Sequence, residues 1–175
     1  MSAAVFFDRD GVLNQVVMRG NVPGSPRTMQ EFSIVDDARE AVLRLQAHGF
    51  LTIVASNQPD LARGSLDPEE HQAMLRSLRE TVPVDVVYVC QADSDRESFD
   101  KKPNPGMLLK AARAHDIDLE RSFMIGDTWK DVAAAKGAGC CAVLIDCPYN
   151  QDVHACQRVS SLEEAVEFIL GASEE

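Results

Sequence analysis

The sequence contains no hydrophobic run close to the roughly 20 apolar residues that a membrane-spanning helix requires. It also has little glycine and proline, 10 and 8 residues of 175, which excludes a collagen-like or low-complexity chain. Apolar residues make up 45% of the chain, enough for a core that needs no disulfide, metal or partner. We therefore predict one globular domain over residues 1–175.

Positive charge is scarce as well: 17 Lys and Arg stand against 28 Asp and Glu, so the formal net charge is -11. A chain this acidic repels nucleic-acid phosphates and anionic membrane surfaces, and we expect neither as a partner. A small phosphorylated metabolite is compatible with that charge where a metal ion, lysines or backbone N–H groups offset the repulsion locally. We expect a monomer or a weak homo-oligomer.

Cysteine is present without any pairing pattern. The five cysteines are odd in number and form no C-x-x-C motif, which argues against a disulfide framework and a zinc ribbon. The first residues reach Asp8 after a short apolar run, unlike a signal peptide. These features predict a soluble, cytoplasmic protein with reduced thiols.

Short apolar runs followed by polar residues predict buried strands. Five runs qualify: residues 3–7, 51–55, 84–90, 123–125 and 140–145. Helical patterns lie between and after them, and the clearest is Asp67-Pro-Glu-Glu70, a cap, a first-turn proline and a capping-box glutamate for a helix to Thr81. This alternation predicts an α/β, doubly wound, Rossmann-like parallel sheet with helices on both faces. Ligands of such sheets bind at the carboxyl ends of the strands. Residues 15–35 break the rhythm and predict an ordered loop there.

Two carboxylates follow the first predicted strand, in Asp8-Arg-Asp10-Gly11. A turn rich in Asp is one interpretation. An EF-hand loop is disfavoured, because its pattern places glycine at the sixth position and here glycine follows the second Asp directly. In the functional interpretation, one carboxylate attacks phosphorus and the other, a neutral acid, protonates the leaving oxygen and then activates water.

A second acidic pair, Asp127 and Asp131, follows the strand predicted at 123–125. Carboxylates crowded at one sheet edge with Asp8 and Asp10 repel each other, and Mg²⁺ suits such a set. The alternative is that Asp127 is a helix N-cap and Asp131 a first-turn residue favoured by the helix dipole.

Two further polar segments complete the pattern. Ser56-Asn57-Gln58 offers a hydroxyl and two amides suited to phosphoryl oxygens, or else forms a polar turn. Lys101-Lys102 places positive charge before a helix opened by Asn104-Pro105, or else forms a solvated turn.

In this order, Asp-x-Asp-Gly-Val, Ser-Asn, Lys-Pro and Gly-Asp-x-x-x-Asp resemble the motifs of the haloacid dehalogenase (HAD) superfamily of phosphatases. The resemblance spans essentially the whole chain and implies a HAD-like fold acting through an aspartyl-phosphate. It implies these roles: Asp8 as nucleophile, Asp10 as general acid/base whose carbonyl binds Mg²⁺, Ser56 as phosphoryl anchor, Lys102 as charge stabiliser, Asp8 and Asp127 as metal ligands, and Asp131 as the fourth acidic position.

Finer features are similar to two branches, the D-glycero-D-manno-heptose 1,7-bisphosphate phosphatases and the histidinol-phosphate phosphatases. Both lack a cap domain, and the 48 positions from Asp8 to Ser56 leave no room for a large one. The site should then be accessible to solvent, with only loops such as residues 15–28 to cover it. The resemblance implies a Mg²⁺-dependent phosphomonoesterase for a sugar phosphate, with substrate contacts at Asn57, Gln58, Arg63 and Lys101. Histidinol phosphate is the alternative substrate, and a phosphate-ligand binding module without turnover is the second alternative.

The sequence departs from these branches in the loop before Lys102. Of their usual zinc-binding loop, Cys-x-His and Cys-x-Cys, only Cys90 remains, so we expect no structural zinc and a loop that other contacts hold or that is mobile. Lys101 stands where the heptose enzymes commonly have arginine, and lysine cannot form the same bidentate fork.

The remaining ionisable and aromatic residues carry no motif. The four histidines, at positions 48, 71, 115 and 154, have no metal-ligand spacing and are expected at the surface. Trp129 is expected to pack rather than to stack on a substrate.

Overall fold

The computed structural model describes residues 1–173. Its core is a six-stranded sheet, every neighbouring pair of which is parallel, in the order β5-β4-β1-β6-β7-β8. A separate antiparallel hairpin, β2–β3, lies within the predicted loop 15–35. The strands are β1 (Ala4–Phe7), β2 (Val17–Arg19), β3 (Val22–Gly24), β4 (Leu51–Asn57), β5 (Val86–Cys90), β6 (Phe123–Gly126), β7 (Cys141–Ile145) and β8 (Gln157–Val159).

Helices connect most of the strands of the large sheet. They are α1 (Ala38–Ala47), α2 (Pro59–Ala62), α3 (Pro68–Thr81), α4 (Gly106–His115), α5 (Trp129–Ala138) and α6 (Leu162–Ser173), with a short 3-10 turn at Leu119–Arg121. The α/β doubly wound architecture predicted from the alternating pattern is confirmed. No cap domain is inserted between β1 and α1, where the described chain forms only the β2–β3 hairpin and turns. None of the helices described is both long and apolar enough to cross a bilayer.

The sheet is buried on both faces, which explains why its strands read as continuous apolar runs. Consecutive residues of β1 point to opposite sides, since Val5 and Phe7 belong to one apolar cluster and Ala4 and Phe6 to the other. One cluster includes the buried faces of α1 and α6 together with Leu78 of α3, and the other includes the buried apolar residues of α4 and Ala135 of α5.

Strand β1 sits at the point where the order of the sheet reverses. It pairs with β4 on one side and with β6 on the other, although β4 and β6 are separated by more than 60 residues of chain. Such a switch point opens a crevice at the carboxyl ends of the strands. A backbone bond from Asp8 N–H to Ile125 C=O, 2.9 Å, fastens the ends of β1 and β6 together there.

Two expectations about single residues are wrong. His71 is not at the surface but 2% exposed, because it lies on the buried face of α3 with Met74, Leu75 and Leu78. Trp129 is 53% exposed at the first position of α5, so it does not pack into the core.

Candidate active site

A cavity of about 330 Å³ opens where β1, β4 and β6 end. Asp8 and Asp10 enter it from the end of β1, and Asp127 and Asp131 from the segment between β6 and α5. Lys102 comes from the loop before α4. The sheet edge thus brings together the acidic motifs and the lysine that are far apart in the sequence.

Lys102 lies between two carboxylates. Its Nζ is 3.0 Å from Asp8 Oδ1 and 2.6 Å from Asp131 Oδ1, and the residue is 2% exposed. Burial lowers the pKa of Lys102, but Asp131 and Asp8 outweigh that effect and raise it overall. The lysine is therefore charged and balances the acidic site.

The backbone of Lys102 is held by Asn57. The Asn57 Oδ1 accepts a bond from Lys102 N–H, 3.0 Å, and its Nδ2 donates to Lys102 C=O, 2.8 Å. Both ends of this amide are thus engaged with the protein, so Asn57 positions the lysine while lining the cavity. Direct substrate contact by Asn57 stays a prediction.

Asp131 is engaged through both carboxylate oxygens. Its Oδ2 accepts bonds from Thr128 N–H at 3.0 Å and from Thr128 Oγ1 at 2.9 Å, completing a capping box at the start of α5. Its Oδ1 accepts the bond from Lys102. The N-cap of α5 is Thr128 and not Asp127, which leaves Asp127 free for another role.

Asp8, Asp127 and Asp131 form a compact group, each offering an oxygen within 4.8 Å of the others. Burial, then Asp131, raises the pKa of Asp8 well above its usual value, and the same two causes raise that of Asp127 to about 7. Asp127 Oδ1 is buried without a hydrogen-bond partner among the described residues. These mutually repelling oxygens fit a hard divalent cation such as Mg²⁺. Both oxygens of Asp131 are already engaged, whereas Asp127 keeps an oxygen without a partner among the described residues. That Asp8, Asp127 and Asp131 bind Mg²⁺ stays a prediction.

The carboxylate of Asp10 lies outside this group. Its Oδ1 accepts bonds from Arg9 Nε and Nη2 at 2.9 and 2.8 Å and from Asn14 Nδ2 at 2.9 Å. Its Oδ2 accepts bonds from Ser25 Oγ at 2.7 Å and Gln58 Nε2 at 2.8 Å.

Burial raises the pKa of Asp10, but Arg9 and the three hydrogen-bond donors outweigh it and lower the pKa overall. Asp10 is therefore ionised at neutral pH in this state, contrary to the expectation of a neutral acid. That its main-chain carbonyl binds Mg²⁺ stays a prediction.

Ser56 and Gln58 are fully buried behind Asp10. The Gln58 Nε2 donates to Ser56 Oγ at 2.9 Å as well as to Asp10. Neither side chain lines the cavity, so this arrangement supports the acid/base residue rather than presenting polar groups to a ligand. Ser56 as phosphoryl anchor and Gln58 as substrate contact stay predictions.

Several basic residues line the cavity together with the acids. Lys101 is 6% exposed, and its Nζ donates to Ala92 C=O at 2.9 Å. Arg63 pairs with Asp93 at 2.5 Å and lies 3.5 Å from Asp60. Both residues line the cavity, and Arg27, bound to Asp60 at 2.8 Å, joins them there. Substrate contact by Lys101 and Arg63 stays a prediction.

Hydrogen bonds hold the loop that precedes Lys102. Asn104 Nδ2 donates to the carbonyls of Asp95 and Ser98 at 2.8 and 3.2 Å, and Cys90 Sγ contacts Ser98 Oγ at 3.7 Å. The predicted other contacts for this loop are thus present. The absence of structural zinc stays a prediction.

Sequence reasoning missed the residues that surround the four acids. Arg9, Asn14 and Ser25 bond Asp10, and Tyr149 bonds Asp127. Arg9 lies between the two acids of the first motif and Asn14 four positions after Asp10, so the sequence offered a signal for both. Tyr149 is 22 positions from its partner and belongs to no motif.

Comparison with known proteins places these features in a family. Residues 100–153 match the HAD-hydrolase-like family model. The D-glycero-D-manno-heptose-1,7-bisphosphate 7-phosphatase of Thermosynechococcus vestitus is 34% identical over 95% of this chain and 94% of its own. The D-glycero-beta-D-manno-heptose-1,7-bisphosphate 7-phosphatase of Pasteurella multocida is 34% identical over 79% of this chain and 78% of its own.

A solved structure agrees with the sequence relatives. The heptose 1,7-bisphosphate phosphatase from B. bronchiseptica, complexed with magnesium and phosphate, superimposes with a TM-score of 0.82 at 27% identity. The match covers 97% of this chain and 99% of that one. The resemblance inferred from the motifs is confirmed: the chain belongs to the heptose-1,7-bisphosphate phosphatase family of the HAD-like hydrolases.

Proposed function

We propose that the protein is a Mg²⁺-dependent phosphomonoesterase that removes one phosphate from D-glycero-D-manno-heptose 1,7-bisphosphate. The observation that carries the proposal is the position of Lys102, buried between Asp8 and Asp131, in a site where Asp127 Oδ1 has no hydrogen-bond partner among residues 1–173. Relatives named for this activity support the substrate.

In the first half of the reaction, Asp8 attacks phosphorus in line. The new bond from its carboxylate oxygen to phosphorus forms as the bond to the sugar oxygen breaks, and Lys102 balances the negative charge. Mg²⁺, held by Asp8 and Asp127, would stabilise the charge on the transferring phosphoryl group.

Asp10 serves both halves. It must carry a proton to give to the sugar oxygen, and an arriving phosphate dianion raises its pKa and so favours that proton. In the second half, the ionised carboxylate takes a proton from water, whose oxygen bonds phosphorus as the bond to Asp8 breaks. Arg9, Asn14, Ser25 and Gln58 favour the ionised form for this step.

The proposal also covers the surroundings of the reaction. We infer a cytoplasmic protein, monomeric or weakly self-associating, whose partner is a small phosphorylated sugar. Five free thiols are consistent with a reducing compartment.

Phosphate release with Mg²⁺ tests the proposal. The panel contains both anomers of heptose 1,7-bisphosphate, histidinol phosphate and other sugar phosphates, and Asp8→Asn runs beside the wild type. We expect one heptose bisphosphate to give kcat/KM of about 10⁴ M⁻¹s⁻¹ or more and the variant to be inactive. Preference for histidinol phosphate would change the substrate assignment to that compound. Binding without turnover would support a phosphate-ligand binding module.

A further inference from the structure

The turn that follows β7 holds Asp127 in place, although it lies outside the HAD-like motifs. Asn150, 2% exposed, donates from Nδ2 to Asp127 C=O at 2.7 Å and to Ile145 C=O at 2.8 Å. Arg158 in turn donates to Asn150 C=O at 2.9 Å and to its Oδ1 at 3.1 Å. The backbone of Asp127 is therefore anchored to β7 and β8 independently of its carboxylate.

The carboxylate of Asp127 has its own contact in this turn. The hydroxyl of half-buried Tyr149 donates a hydrogen bond to Oδ2, and the α-carbon of Gly11 lies against the same oxygen. Oδ1 is left buried and unbonded, within the part of the chain that the structure describes, in the group that contains Asp8. The two oxygens of Asp127 thus have different surroundings.

We propose that Tyr149 is a positioning residue for the cation site: its hydroxyl occupies Oδ2 of Asp127 and so directs Oδ1 toward the ion. The inference rests on the proposed function only in taking Asp8 and Asp127 as Mg²⁺ ligands. It goes beyond that function because it assigns a role to a residue that does not line the cavity.

The physical effect of the bond is preorganisation. A carboxylate held by one oxygen does not have to give up rotational freedom when its other oxygen binds a cation. Outer hydrogen bonds of this kind commonly account for a factor of about 10–100 in metal affinity. Tyr149→Phe removes only the hydroxyl, and the Asn150 bonds keep the Asp127 backbone in place.

Calorimetric titration of the substrate-free protein with MgCl₂ tests the inference. Trp129 gives a second readout by fluorescence, since it is the chain's single tryptophan and lies two positions after Asp127. We expect Tyr149→Phe to weaken Mg²⁺ binding about tenfold. Its phosphate release should need about tenfold more Mg²⁺, with kcat at saturating Mg²⁺ unchanged.

The matched control is Tyr88→Phe, which removes the hydroxyl of the chain's other tyrosine, 3.4 Å from His115 Nε2. It should bind Mg²⁺ as the wild type does. Equal or tighter binding by Tyr149→Phe would overturn the inference, because Tyr149 would then be neutral or would compete with the cation. The inference would also be overturned if Tyr88→Phe weakened Mg²⁺ binding as much as Tyr149→Phe does. The same holds if Tyr149→Phe lowered the unfolding midpoint in metal-free buffer so far that partial unfolding explained its weaker binding. The calorimetric, fluorescence and unfolding measurements require no turnover, so failure of the proposed activity is recognised separately.

Discussion

The backbone of Gly11 lies against the carboxylate of Asp127, so closely that a Cβ added at Gly11 would overlap Asp127 Oδ2. Gly11 also has a φ of +84°, a conformation that side chains disfavour. The turn after Asp10 therefore reaches the second acidic motif only because residue 11 has no side chain. The two motifs depend on each other at this point.

Gly11→Ala tests that dependence. We expect loss of at least about tenfold in phosphate release, equal to about 1.4 kcal/mol in the barrier, because the methyl group displaces Asp127. Gly49→Ala is the control, since Gly49 has the same φ of +84° but no atom within 4 Å of the added Cβ. Both variants should lose about 1 kcal/mol of stability from backbone strain. Activity equal in the two would show that the approach to Asp127 is unimportant.

Lys102→Met is expected to harm both stability and activity. The change leaves two buried carboxylates, Asp8 and Asp131, without their shared cation, and losing one partner of a buried pair costs about 3–5 kcal/mol of unfolding free energy. Urea unfolding and phosphate release measure the two effects. Lys110→Met is the control, because Lys110 pairs with Asp100 at the exposed surface and should change stability by less than about 1 kcal/mol.

Ser25→Ala is expected to shift the pH dependence of kcat. Ser25 donates to Asp10 Oδ2 from outside the HAD motifs, and that bond helps to lower the pKa of Asp10. Without this bond the pKa of Asp10 rises, so on acidification Asp10 takes up its proton, and stops acting as a base, at a higher pH than in the wild type. The acid limb of the pH profile should therefore move to higher pH.

The control for that profile is Ser94→Ala, whose hydroxyl accepts a bond from Arg96 N–H in an exposed loop. Its profile should coincide with that of the wild type. An unmoved acid limb in Ser25→Ala would mean that the limb reports a group other than Asp10.

The sheet and the gathering of the acids could be predicted because both follow from local patterns. Buried strands read as apolar runs, and the ends of parallel strands meet at one edge. The short strand β8, Gln157–Val159, was missed because three residues carry too little pattern. Tyr149 was missed because only tertiary packing brings it to Asp127. The electrostatics of Asp10 likewise depend on Ser25 and Gln58, which arrive from two different segments.

His71 could have been placed correctly from the sequence. It precedes Met74, Leu75 and Leu78 by three, four and seven positions, the spacing of one helix face, and all four are buried. This spacing predicts the burial of His71 better than the usual surface position of histidine does.

The burial of His71 predicts an acid-sensitive fold. Burial, and then the charge of Arg9, lowers its pKa to about 4 against the opposing effect of Asp10. The unfolded chain takes up this proton near its usual pKa of about 6.5, whereas the folded chain resists until about pH 4. The contribution of neutral His71 to the free energy of unfolding is therefore complete above about pH 7 and is lost as the pH falls from about 6.5 to 4. The part lost by pH 5 is about 2 kcal/mol.

His71→Phe removes this titration. Its buried Nδ1 has no hydrogen-bond partner in residues 1–173, so an apolar ring leaves no polar group stranded. Urea unfolding at pH 7.5 and 5.0 should show the wild type losing about 2 kcal/mol more than this variant. His115→Gln is the matched control, because His115 is exposed. This variant should lose as much stability between pH 7.5 and 5.0 as the wild type does. If His71→Phe loses as much on acidification as the wild type, His71 binds its proton equally in both states and is not the source of the acid sensitivity.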